Sequence, residues 1–221
     1  MKHLKMLGLA AMAIASVMAF SAASASATEL YSGATTLPSG TTLTSSLSGT
    51  ASLTTTSGTV LDTCTGGGVT GKTTTAGGGE KVNVVGSVEK AGVTWSGCTK
   101  TTDTLEGGTL EIAWKEGKNG TVTGKGFKVT VEMVAEFGGT CSYTLGTVGT
   151  NLGELKGVTG EKEHATLAIN AIVNGASGNS FLCPADTKWV ANYTVTSAKF
   201  TEMVGEVKKE TTFTPVHATN S

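Results

Sequence analysis

The sequence predicts an all-β protein, an antiparallel β-sandwich or irregular β-barrel stapled by disulfides. Three observations carry that expectation. Threonine and glycine dominate, with 40 threonines and 31 glycines in 221 residues; threonine is β-branched and favours strands, and glycine supplies turns and bulges. Short runs alternate apolar and polar residues, the period of a half-buried strand, and no long segment has helical periodicity. Four cysteines (Cys64, Cys98, Cys141 and Cys183) stand 34, 43 and 42 residues apart.

Residues 1–27 read as a secretory signal peptide. Met1-Lys2-His3-Leu4-Lys5 is basic, Met6 to Phe20 is apolar apart from Gly8 and Ser16, and Ala25-Ser26-Ala27 is a small-x-small cleavage site. The run is too short and wrongly flanked for a membrane span. A mature chain from Thr28 has 194 residues, enough to bury a core.

The strand candidates follow in order. Thr41–Leu53 puts Leu43, Leu47, Ala51 and Leu53 on one face, and Thr59–Thr65 is broken by Gly66-Gly67-Gly68. Val82–Val88, Val93–Cys98 and Thr109–Glu116 come next. Asn119-Gly120, a pair suited to a type I′ turn, is expected to lead into Gly126–Phe137. That strand alternates most clearly, with Phe127, Val129, Val131, Met133, Ala135 and Phe137 inward. Thr140–Leu145, Ala165–Val173, Lys188–Ser197 and Lys199–Val204 complete a β-domain spanning 28–204, with 205–221 a flexible tail. Two faintly similar halves, about 28–116 and 117–204, each hold an early cysteine and a late one near a tryptophan.

All 16 basic side chains are lysine, and the mature chain has 14 of them against 17 acids. Without arginine or a basic patch, nucleic acid is an unsuitable partner. An even cysteine count in an exported chain implies disulfides, and four cysteines allow three connectivities. Their spacing fits no zinc pattern. The echo between halves favours Cys64–Cys98 and Cys141–Cys183.

No motif supplies chemistry. Gly66-Gly67-Gly68-Val69-Thr70-Gly71-Lys72-Thr73 matches the phosphate-binding G-x-x-x-x-G-K-[ST] string, but Thr74-Thr75-Ala76-Gly77 cannot start the helix that site needs. His164 and His217 are the only mature histidines; they read as a solvated loop and a tail residue. Glu132 and Glu136 stand about 13 Å apart along one strand, beyond the spacing of a glycosidase pair. Asp62, Asp103 and Asp186 form no calcium motif. Trp95, Trp114 and Trp189 fall on the apolar sides of their strands, which favours packing over sugar stacking. Asn119-Gly120-Thr121 and Asn192-Tyr193-Thr194 match the glycosylation sequon. The expectation is no catalytic, cofactor-binding or metal residue.

Leu61-Asp62-Thr63-Cys64-Thr65-Gly66-Gly67, Thr94-Trp95-Ser96-Gly97-Cys98-Thr99-Lys100, Cys141-Ser142-Tyr143 and Phe181-Leu182-Cys183-Pro184, followed by Trp189 and Tyr193-Thr194-Val195-Thr196, carry a resemblance. On them the chain resembles a family of uncharacterised secreted proteins present in many copies in soil actinobacteria. A looser likeness is to exported biofilm-associated proteins named as activators of alkane oxidation, with Ile112-Ala113-Trp114 standing where those carry Leu-Pro-Trp. The resemblance implies secretion and structural motifs, and no catalytic residue carries over from it. The expected function is a non-catalytic extracellular β-protein with a surface, matrix or adhesive role toward an extracellular or cell-surface component. The alternatives are a carbohydrate- or small-ligand-binding domain and, behind it, a secreted hydrolase.

Overall fold

The computed structural model describes residues 28–33, 35–76, 83–113, 119–133, 139–146, 149–156 and 164–220. The signal-peptide reading, Trp114, Glu136 and the 134–137 end of the expected Gly126–Phe137 strand lie outside the described residues. Within them the protein is all-β, with no α-helix and one 3₁₀ turn at Lys90–Gly92.

The chain runs through β1 (Thr28–Ser32), β2 (Thr35–Thr36), β3 (Thr42–Leu47), β4 (Ala51–Thr55), β5 (Val60–Thr73) and β6 (Val84–Val88). Then come β7 (Val93–Cys98), β8 (Thr102–Glu106), β9 (Gly108–Ala113), β10 (Asn119–Lys125), β11 (Lys128–Met133) and β12 (Gly139–Thr144). It finishes with β13 (Thr150–Lys156), β14 (Thr166–Gly175), β15 (Asp186–Val204), β16 (Val207–Phe213) and β17 (His217–Asn220).

All paired strands among the described residues are antiparallel, and the sheet closes on itself. One ring runs β15-β3-β5-β6-β9-β10-β13-β14 and returns to β15. The long strands β5, β14 and β15 continue past it into a second ring. There β15 pairs β4, β4 pairs β5 and β5 pairs β7, while β14 pairs β12, β12 pairs β11 and β11 pairs β8. Closure satisfies the backbone groups that an open sheet would leave at its edges. Each ring draws strands from both sequence halves, so neither half is a ring. The small sheet β17-β1-β2 covers the far end of the first ring, where Leu30, Leu37 and Val216 are buried.

The expected inward sets are the observed ones where the pattern was clear. Leu167, Ile169, Ala171 and Val173 of β14 are buried, as are Ala191, Tyr193 and Val195 of β15. In β11, Val131 and Met133 are buried and Glu132 is exposed. The cysteines pair Cys64–Cys98, directly opposed on β5 and β7, and Cys141–Cys183.

Four expectations are corrected. The single strand Thr41–Leu53 is two, β3 and β4, divided at Gly49, whose φ of +82° suits glycine. Conversely, Gly66-Gly67-Gly68 does not break β5. A Cβ on Gly67 would lie 2.3 Å from the Thr94 carbonyl oxygen, and one on Gly68 2.4 Å from that of Ser45. These glycines let neighbouring strands approach within the ladder. Asn119-Gly120 makes no turn: both residues sit in β10, opposite Lys156 and Leu155 of β13. The expected tail of 205–221 is more than a tail over its described residues, because β16 extends β15 as a hairpin and β17 pairs β1.

Candidate functional site

The inner face of the second ring is aromatic. Alternation along β15 turns Thr187 and Trp189 inward, β7 contributes Trp95, and β12 contributes Tyr143, whose neighbours Cys141 and Leu145 are buried beside it. Trp95 and Trp189 meet edge to face at 5.9 Å, and Trp189 meets Tyr193 at 6.4 Å. The Trp95 indole N–H donates to Thr104 Oγ1 on β8 at 2.9 Å. Trp95, Thr104, Tyr143 and Trp189, with aliphatic neighbours that include Leu110 of β9 and Leu152 of β13, line a cavity of about 90 Å³ between the two rings.

Burial favours a neutral phenol, so the Tyr143 pKa is pushed up to about 12 and that of Tyr193 rises further. Folded phenols therefore hold protons that unfolded ones release above about pH 10, and stability falls as pH rises through that window. Tyr143 alone is expected to remove about 1 kcal/mol between pH 9 and pH 11. Urea titrations at the two pH values check this, and Tyr143→Phe should shrink the difference by that share.

Beside the Cys64–Cys98 bridge lies Asp62, only 3% exposed. Its Oδ1 accepts from the Thr63 N–H at 2.8 Å, the Lys100 N–H at 2.9 Å and the Thr99 hydroxyl at 2.7 Å. Its Oδ2 accepts from the Thr102 hydroxyl. One β5 carboxylate thus pins the turn from β7 to β8. Asp62, Cys64 and Cys98 place possible ligand atoms within 4.8 Å of one another, but both sulfurs are committed to the disulfide and neither is a thiolate. The cluster is a structural clamp.

At the end of the β14–β15 hairpin, residues 176–185 form a loop held at several points. Cys183 is bonded to Cys141. The Asn179 side chain accepts from the Ser142 N–H and donates to the Ser142 carbonyl, both at 2.8 Å, much as a strand neighbour would. The Ala176 N–H adds a second donor to that carbonyl at 2.8 Å. Held this way, the loop presents Phe181 at 93% exposure, with Leu182 at 46%. An anchored loop bearing an exposed aromatic loses little entropy on contact with a partner.

The sequence candidates fall elsewhere. The Gly66–Thr73 string is ladder within β5, without a loop or helix start. His164 is half-buried, with Nδ1 buried and unpartnered, rather than in a solvated loop. His217 sits in β17 opposite Tyr31. Asp103 and Asp186 are on β8 and β15, apart from Asp62 on β5. Sequence reading passed over the exposed Phe181 because it precedes Cys183 and looks structural; an aromatic inside Gly-Asn-Ser turn residues was the available signal. Asp62, a lone acid between apolar strand residues, gave a similar one. No family model, curated protein or solved structure matches the chain.

Proposed function

We propose that this chain is a non-catalytic exported protein that works by surface contact, with a matrix or adhesive role toward an extracellular or cell-surface component. The carrying observation is the clamped loop with Phe181 almost wholly in solvent. Phe181 and its neighbour Leu182 offer a partner an apolar contact on a loop already fixed in place by the Cys141–Cys183 bridge. Support also comes from the leader-like first 27 residues and from two disulfides, which persist in oxidising compartments. Trp95 and Trp189 face one another inside the second ring, which withholds their faces from a sugar.

The test is binding of purified protein to intact cells and extracellular matrix of its producer. Phe181→Ser with Leu182→Ser should weaken binding by at least about 10-fold, the loss expected when one large apolar contact is removed. The melting temperature should hold, because both side chains are exposed. Unchanged binding by the folded double variant would overturn the reading.

A further inference from the structure

The far end of β15 leaves the rings. β14 pairs with it only as far as Thr194 and β3 only as far as Lys199, so from Phe200 to Val204 its single neighbour is β16. The two strands form a ribbon that turns at Gly205-Glu206, between the opposed Val204 and Val207. A lone two-stranded ribbon is marginal in water, and further strands stabilise it. Among the described residues β16 has no second neighbour, and Val207, Lys208, Lys209 and Glu210 are exposed. A two-residue turn makes Val204 and Val207 a hydrogen-bonded pair, so Val207, Lys209 and Thr211 spend their N–H and C=O groups on β15. Those of Lys208, Glu210 and Thr212 point outward along a free edge.

We propose that this edge pairs antiparallel with the same edge of a second copy, making a symmetric dimer through a four-stranded sheet. Edge lysines ordinarily discourage such pairing, so the order of charges decides. A two-fold axis through the sheet sets one residue opposite its own copy. Centred on Lys208 or Glu210, it brings like charges face to face. Centred on Lys209, it sets Lys208 opposite Glu210 of the second copy, and does so twice; no other symmetric register opposes unlike charges of β16. Lys208 is the side chain that lacks a partner at home. Glu210 reaches Lys199 at 3.1 Å and Lys209 reaches Glu202 at 3.5 Å, whereas Lys208 lies opposite Met203 and makes no ion pair among the described residues. The two Lys209 side chains on the axis are each balanced by their own Glu202. The same register lays Val207, 68% exposed, opposite Thr211 of the second copy, in a row that Val204 and the second Phe200 complete.

The loop bearing Phe181 leads into the opposite end of β15, at Asp186. Pairing through the ribbons therefore leaves both loops uncovered, and a two-headed protein holds a surface more tightly than either head alone. Dimer formation itself does not depend on the surface-contact reading.

The experiment is sedimentation equilibrium of the oxidised protein at concentrations up to about 1 mM, with a dimer Kd on the order of 100 µM expected for so small a contact. Lys208→Glu and Glu210→Lys should each weaken association at least about 10-fold, because both opposed pairs become like-charged. Mixing the two variants should restore native association, since in the mixed pair the charges are again unlike at both positions. Lys209→Thr should strengthen association about 3-fold by removing the repulsion on the axis. All three side chains are exposed, so the variants should melt as the native protein does. A native protein that stays monomeric at the highest concentration, single variants that associate like it, or a mixture that fails to recover would each overturn the proposal.

Discussion

Val131→Lys is expected to destabilise the protein by about 4 kcal/mol, while Thr130→Lys one residue earlier stays within about 0.5 kcal/mol of the native protein. Val131 is 2% exposed, on the inner face of β11 opposite Cys141. A lysine there must bury an unpaired ammonium or force the strand outward. Thr130 points the other way and is only partly covered. Urea denaturation of both variants gives the comparison. Similar losses at the two sites would mean that the strand register is displaced by one residue, because each residue of slip exchanges the two faces.

Asp62→Ala carries the second large effect, again about 4 kcal/mol. Four donors converge on this carboxylate, two backbone N–H groups and two hydroxyls. Alanine removes the acceptor from all four partly buried donors, of which the Thr63 N–H keeps a second one, Thr99 Oγ1. Hydrogen bonds to a charged group are worth about 1.5–3 kcal/mol each, and relaxation and water recover part of the sum. Asp62→Asn keeps one acceptor oxygen and should lose about half as much. Because the carboxylate fixes the β7–β8 turn, hydrogen exchange at Thr99–Thr102 should accelerate before the rest of the ring. Equal protection in Asp62→Ala and native protein would contradict the role assigned to this residue.

What could be read in advance follows a simple physical line. Strands with a clean period of two and bulky inward residues, such as β11, β14 and the Trp189–Val195 part of β15, declared both existence and face. Weakly apolar strands did not: β10 has Val122 as its single large inward side chain. β13 was hidden by a bulge. Gly153 at φ +140° and the register shift opposite Val122/Thr123 let Leu152 and Leu155 both face inward, three apart, so alternation fails locally. Glycine misled in both directions, dividing β3 from β4 at Gly49 but running through β5 at Gly66–Gly68. Position along the chain cannot tell whether a glycine serves a turn or a close strand approach. The same limit hid the aromatic cluster, since Tyr143 and Trp189 come from separate strands, β12 and β15, brought together by their shared neighbour β14. The pairing of the cysteines was legible because each bridge joins an early and a late cysteine of one half, although the rings themselves mix the halves.

The central claim is that this is an oxidised, exported barrel acting outside the cell. Mass mapping of the unreduced protein recovered from the culture medium tests it in one measurement. The expected result is a chain beginning at Thr28 with two linked peptides, one joining Cys64 to Cys98 and one joining Cys141 to Cys183. A chain that stays in the cytoplasm with its first 27 residues attached, or one carrying four free thiols, would contradict the account.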